Sequence, residues 1–259
     1  MRCKNDKDII DYRESLIRKR LSKISSSIFI GSGKGGVGKS LIAATMGLIL
    51  SSEGFKTGLL DLDMHGPSSS AILNINELPR EEKEGLKPPT ICGLKVMSVG
   101  LFVKDSPLPL GGQAKREILK ELLAITDFAT LDYLIVDLPP GTGDESLAAI
   151  NFITNNRGVI LVSTPSLLSL EVVRRTAYFF IDMKIKILGL IENMVREDKF
   201  GYTYKLAQEL GAPFLGYVPF DEKVMFIYEK LEPKSLINTK FSEALKNVLI
   251  NAKILRHYH

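Results

Sequence analysis

Cysteine is scarce in this sequence: Cys3 and Cys92 are the only two among 259 residues. They stand far apart and in no C-x-x-C pair, which excludes a disulfide framework and a complete metal site within one chain. A reducing compartment follows, and the charged N-terminus lacks the apolar core of a signal peptide, so the expected location is cytoplasmic. No apolar run approaches the length of a membrane span. Charge of one sign is also in short supply, because a formal net charge of +4 is too small to argue for a nucleic-acid partner. No internal repeat is evident. What remains, 45% hydrophobic and 25% charged residues, is ordinary for a globular protein, and the length suits one large α/β domain. The expected division is an N-terminal helical extension over 1–27 and a single domain over 28–259.

The richest stretch is Gly33-Lys34-Gly35-Gly36-Val37-Gly38-Lys39-Ser40, which fits G-x-x-x-x-G-K-[ST] at every fixed position. The apolar run Ile28 to Ile30 precedes it and a helix-length apolar segment, Leu41 to Leu50, follows it. Strand, loop and helix are thus in the order a phosphate loop needs. Glycines let successive backbone N–H groups turn inward at a helix N-terminus and form an anion-binding nest. The candidate nucleotide-binding residues here are Gly33, Lys34, Gly35, Gly36, Val37, Gly38, Lys39, Ser40 and Leu41. Lys39 would set its ammonium against the β- and γ-phosphates, and Ser40 would join the shell of a Mg²⁺ ion.

Two acidic strand ends face this loop. Thr57 to Leu60 run into Asp61-Leu62-Asp63, and in an open α/β sheet ligands sit outside the carboxyl ends of the strands. Asp63 is the candidate for orienting the attacking water, and Asp61 for a structural or metal-shell acid. Turn residues follow, with Gly66 and Pro67 in a mobile first switch loop; His65 there is either a catalytic base or a loop histidine without special role. The second strand end is Tyr133-Leu134-Ile135-Val136-Asp137, whose aspartate would hold a metal-bound water opposite the phosphate loop. Pro139, Pro140 and Gly141 then form a stiff but bendable second switch.

Elsewhere the pattern predicts a helix in the first 27 residues with a solvated basic face, an exposed excursion over 74–93, a strand from Leu94 to Val99 and a helix from Gly111 to Asp127. Alternating strands and helices from Gly158 onward imply βαβ units and a largely parallel sheet. The terminal helix carries Phe241, Leu245, Val248, Leu249 and Ala252 on one side. Core packing suits this face, although a membrane-surface helix has the same composition.

With Lys34 directly after the first glycine, Asp61-Leu62-Asp63, the segment Asp137-Leu138-Pro139-Pro140-Gly141-Thr142-Gly143-Asp144 and Glu192-Asn193-Met194, the chain resembles the Mrp/ApbC branch of the MinD/ParA ATPases, which have a deviant Walker A loop. The resemblance implies a three-layer P-loop NTPase fold, a mostly parallel central sheet flanked by helices. It implies ATP binding and slow, partner-stimulated hydrolysis, with ATP/ADP and Mg²⁺ as cofactors. It implies a homodimer in which Lys34 reaches a nucleotide phosphate, often the partner subunit's; otherwise Lys34 is a solvated loop lysine. Asn193 would recognise adenine, with the segment around Pro219 closing the base pocket. The branch resembles iron-sulfur cluster carriers, so apoproteins or assembly factors are implied partners. The alternative is a nucleotide-controlled positioning or DNA-partitioning module. One departure stands out: Val195 to Gly201, where the branch commonly has C-x-x-C, holds no cysteine. A cluster usually takes four thiolates. Cys3 and Cys92 from two subunits would total that number, but no motif brings them together.

Overall fold

The computed structural model describes residues 11–64, 66, 68–102, 111–196 and 201–256. Cys3, His65, Pro67 and residues 197–200 of the cysteine-free stretch lie outside the described residues.

Ten strands and nine α-helices follow in the described residues. The chain enters through α1 (Tyr12–Leu21) and β1 (Ile24–Ser32), then α2 (Lys39–Ser52), β2 (Thr57–Asp61) and the short α3 (Ser69–Ile72). Three small strands follow, β3 (Arg80–Glu82), β4 (Gly85–Lys87) and β5 (Thr90–Ile91), before β6 (Leu94–Ser98) and α4 (Gly112–Ile125). Then come β7 (Leu131–Asp137), α5 (Asp144–Phe152), β8 (Arg157–Ser163), α6 (Leu167–Asp182), β9 (Lys186–Val195) and α7 (Tyr202–Glu209). The chain closes with β10 (Phe214–Pro219), α8 (Glu222–Glu229) and α9 (Lys240–Asn251).

The main sheet has eight strands in the order β10-β9-β8-β1-β7-β2-β6-β5. All neighbours are parallel except β5, which returns antiparallel along β6. Parallel strands buried on both faces read as continuous apolar runs, as β7 and β8 do. On β1 the alternation is resolved by packing: Phe29 joins the core under α1, α4, α5, α6 and α7, while Ile28 and Ile30 face α2 and α9. These are the two outer layers expected for the three-layer fold. The apolar face of α9 packs inward, with Phe241, Leu245, Val248 and Leu249 all buried; core packing, not a membrane surface, takes that face.

Three local features differ from expectation. Strand β1 starts at Ile24, earlier than the apolar run Ile28 to Ile30, and Ser27 within it, though polar, is fully buried and bonded to Asn155 Oδ1. The 74–93 excursion is exposed but carries β3, β4 and β5, made possible by turns at Gly85 (φ +130°) and at Cys92-Gly93 (φ +50° and +82°). Finally, the basic side of α1 is only partly solvated. Arg18 and Lys19 are exposed, but Arg13 pairs with Glu117 of α4 at 2.8 Å and Arg20 Nε donates to the Ala124 carbonyl at 2.6 Å. Ile17 and Leu21 complete the docking of α1 in the core.

Candidate functional site

The site grows from the carboxyl end of β1, which lies between β7 and β8 at the middle of the sheet. After Ser32 the chain turns through Gly36 (φ +76°) and Gly38 (φ +81°), and Gly38 is the N-cap of α2. No side chain caps that helix and no acidic residue stands in its first turn. The leading N–H groups of α2 and its positive dipole end are therefore presented to an anion. The loop is braced from three sides. Ser32 Oγ donates to the Lys34 carbonyl at 3.0 Å. Asn193 Nδ2 donates to the Val37 carbonyl at 2.8 Å. Gly33 lies so close to α6 that a Cβ there would stand 2.6 Å from the Val172 backbone.

A cavity of about 270 Å³ opens over this loop, bordered by Lys34 through Leu41 and, from the opposite side, by Asp63, Ser68 and Pro140. Residues widely separated in the sequence are thereby brought together. Beneath the cavity, Lys39 Nζ lies 2.6 Å from Asp137 Oδ1, with the two side chains 6% and 0% exposed. Asp137 Oδ2 is buried and has no hydrogen-bond partner. Burial raises the Asp137 pKa, and the Lys39 ammonium and the Ser40 hydroxyl pull against it.

Asp61 is the register neighbour of Asp137 across β2 and β7. It does not border the cavity. Fully buried, it accepts bonds from the Asp63 and Ser69 N–H groups, both at 3.1 Å, and from Ser98 Oγ at 3.2 Å. Burial and the adjacent Asp137 charge push its pKa up to about 7, against the pull of the Asp63 and Ser69 N–H groups and of Lys39. Two buried carboxylates thus share one ammonium, an arrangement that a further cation would relieve. Asp63 Oδ1 accepts from the Gly66 N–H at 3.1 Å, which shapes the start of the loop after β2. The loop after β7 is tied to β1 through Gly141, whose N–H reaches the Ser32 carbonyl at 2.9 Å.

A second cavity, about 300 Å³, adjoins the loop on the β8 and β9 side, between Lys34 to Gly36 and Thr164, Pro165, Met194 and Arg196. Met194 belongs to the Glu192-Asn193-Met194 segment noted in the sequence, whereas Thr164, Pro165 and Arg196 were not singled out there. Thr164 and Pro165 follow the carboxyl end of β8, where the strand-end rule could have found them; Arg196 carries no sequence signal of its own. Asn193 is almost fully buried behind the loop, with Oδ1 lacking a partner. Pro219 ends β10 beside Val195 and borders neither cavity, but its successor Phe220 reaches Arg196, whose guanidinium lies 4.7 Å from the ring centroid. Glu192 fastens the ends of this turn by accepting from the Gly201 and Thr203 N–H groups at 2.8 and 2.7 Å.

Cys92 is elsewhere. Its carbonyl accepts from Ser51 Oγ at 2.8 Å, in the last turn of α2. The phosphate loop is at the other end of that 14-residue helix, about 20 Å away at a rise of about 1.5 Å per residue. Among the described residues no group of three or more His, Cys, Asp or Glu side chains is placed to hold a metal ion, and no helix is long and apolar enough to cross a membrane.

A glycine-rich loop leading into an uncapped helix, with an invited lysine and an acidic neighbouring strand end, defines a P-loop NTPase. The chain belongs to the ParA family described as NUBPL iron-transfer P-loop NTPases, whose profile it matches over residues 23–254. It is 35% identical to an iron-sulfur cluster carrier protein of Methanocaldococcus jannaschii, over 95% of this chain and 90% of that one. An iron-sulfur cluster carrier protein of Aquifex aeolicus is 34% identical over 92% of this chain and 69% of its own length. Among solved structures, a nucleotide-binding protein of Archaeoglobus fulgidus in complex with ADP superposes with a TM-score of 0.74 at 30% identity, covering 85% of this chain and 92% of that one. The cell division ATPase MinD of Pyrococcus furiosus shares the fold, with a TM-score of 0.70 at 18% identity, covering 90% of this chain and all of the other.

Proposed function

We propose that this chain is a Mg²⁺-dependent ATPase switch that serves iron-sulfur cluster transfer, working as a homodimer and probing partners through its two switch loops. The observation that carries the reading is the buried Lys39 and Asp137 pair beneath an uncapped helix N-terminus. Asp137 Oδ2, buried and unpartnered, and the nearby Ser40 hydroxyl make a donor set suited to magnesium, an oxygen-seeking ion that keeps several waters. Ser40 would bind the ion directly and Asp137 through one of its waters. Bound magnesium would neutralise charge on the β- and γ-phosphate oxygens.

The chain's own groups divide the remaining work. The α2 amides hold phosphate; Lys39 transfers its ammonium from Asp137 to the β- and γ-phosphates; Lys34, at the lip of the loop, adds a second charge. Asp63 orients water for in-line attack. Asp61, bonded to the start of α3 and to β6, holds the first switch in place. Asn193 braces the loop and, with Pro219 behind it, stands on the base side. Relatives named iron-sulfur cluster carriers support a cluster as cargo. In this chain the thiol of Cys92 lies at the wrong end of α2 to meet the nucleotide face, which favours a partner apoprotein or assembly factor as the source of thiolates.

The test is ATP turnover with and without magnesium. Wild type should hydrolyse ATP only with Mg²⁺, and Lys39→Ala should lose at least about 100-fold, the scale for removing one charge-stabilising donor. Unchanged turnover in Lys39→Ala would remove the assignment.

A further inference from the structure

We propose that Arg196, seated on Phe220, is the stacking wall of the nucleoside site and sets the preference of this chain for a purine nucleotide. The inference rests on the reading of the loop as a nucleotide site and concerns the half of the ligand that the phosphate loop does not touch.

The two cavities beside the loop share Lys34, Gly35 and Gly36, so a ligand with its phosphates on the α2 amides continues from one into the other. The first cavity is closed on its far side by Asp63 and Pro140, where the acid and switch groups stand. The second lies away from those groups, on the β8 and β9 side, and Arg196 forms one of its walls. Three features hold that wall in place. Met194 adopts a left-handed conformation (φ +58°), which turns the chain at the end of β9. The Phe220 N–H donates to the Val195 carbonyl at 3.0 Å, fixing the ring beside its neighbour. The guanidinium carbon then lies over the ring, 4.7 Å from its centroid.

A guanidinium is planar, permanently charged and weakly hydrated, and it stacks on aromatic rings and on nucleic-acid bases alike. With Phe220 against one side, Arg196 is oriented before any ligand arrives and its conformational freedom is already reduced. A purine inserted along the other side completes a three-layer stack. A smaller pyrimidine covers less of the plane. Lys34 across the same cavity adds positive charge where the polyphosphate enters. Arg196 is thus a positioning and specificity residue for binding, remote from the transferred phosphoryl group.

Isothermal titration of the full chain with ATP, CTP and inorganic tripolyphosphate separates the base contribution from the phosphate contribution. Arg196→Ala should weaken ATP binding about tenfold, weaken CTP less, and leave tripolyphosphate affinity unchanged. Arg196→Lys, which keeps the charge and loses the plane, should behave like Arg196→Ala. Phe220→Leu, which removes the seat, should give a smaller loss of the same kind. ATP affinity within twofold of wild type in Arg196→Ala, equal losses for ATP and tripolyphosphate, or rescue by lysine would each overturn the proposal. Wild type that binds neither ATP nor tripolyphosphate would instead overturn the nucleotide reading beneath it.

Discussion

Lys39 Nζ and Asp137 Oδ1 are 2.6 Å apart in the interior, one from the first turn of α2 and the other from the last residue of β7. Their Coulombic attraction offsets a desolvation cost of several kcal/mol per ion, so the pair is a tie between two layers of the fold.

The stability of that tie can be separated from its chemistry. Lys39→Met leaves Asp137 charged and unpaired, and is expected to destabilise the fold by about 3 kcal/mol, the scale for breaking a buried pair from one side. Lys39→Met with Asp137→Asn removes both charges and should recover most of that loss. Denaturant unfolding of the two single variants and the double variant gives the coupling directly. Additive losses in the double variant would show that the two side chains do not act as a pair.

The phosphate loop also contains glycines with different jobs. A Cβ on Gly33 would meet the backbone of Val172 and Val173 at 2.6 and 2.7 Å, whereas a Cβ on Gly35 would meet nothing within 4 Å. Gly33→Ala must push the loop off α6 and should cost about 2 kcal/mol, seen as a fall in Tm of about 5 °C. Gly35→Ala should leave Tm within about 1 °C of wild type, since exposed sites away from such contacts change stability little. Equal behaviour of the two variants in thermal unfolding would refute the close approach.

How far these relationships were legible beforehand depends on what carries the signal. The loop was readable because its chemistry needs fixed residue types at fixed spacing, and Asp61 and Asp137 because each ends a short apolar strand. The contact between Lys39 and Asp137 joins residues 98 apart and leaves no periodic trace. Helix α5 is short and begins directly after a glycine-rich turn, so its period is hard to see. Strand β1 hides its start because Ile24 is cut off from the apolar run at Ile28 by Ser25 to Ser27, of which Ser27 is buried between β7 and β8. Arg196 and Phe220 meet only because β9 and β10 pair and end together, a tertiary fact with no local cue.

Asp127 gives a pH prediction of known sign. It is 4% exposed, accepts from Lys87 Nζ at 2.6 Å and has Arg20 and Lys23 at 3.7 and 3.9 Å, which fastens β4 and α1 to the end of α4. Burial alone would raise its pKa, but the Lys87 and Ala129 hydrogen bonds outweigh that and the net shift is downward from 3.8. A carboxylate with a lowered folded pKa stabilises the fold above its unfolded value and loses that contribution as pH falls through the folded one. Asp127→Asn should therefore cost about 2 kcal/mol at neutral pH. The gap to wild type should close as pH drops below about 3.8. Urea unfolding at a series of pH values measures this, and a gap independent of pH would assign the loss to packing instead of charge.

The placement of Cys92 makes a prediction about iron. Its backbone is in the left-handed region, its carbonyl is held by Ser51 at the C-terminal end of α2, and its residue is exposed on the side of the sheet away from the phosphate loop. If two copies meet through their nucleotide faces, the two Cys92 residues lie at the ends of the pair remote from that contact. A cluster bound at the nucleotide face needs soft thiolates there, usually four, and Cys92 supplies none. Anaerobic reconstitution with iron and sulfide should accordingly leave Cys92→Ser with the same iron content and the same absorbance spectrum as wild type. Adding a partner apoprotein with free thiols should raise bound cluster only in the mixture, and that rise should depend on ATP. Loss of bound iron in Cys92→Ser alone would move the cluster to the far end of α2 and would require the two copies to associate through that end.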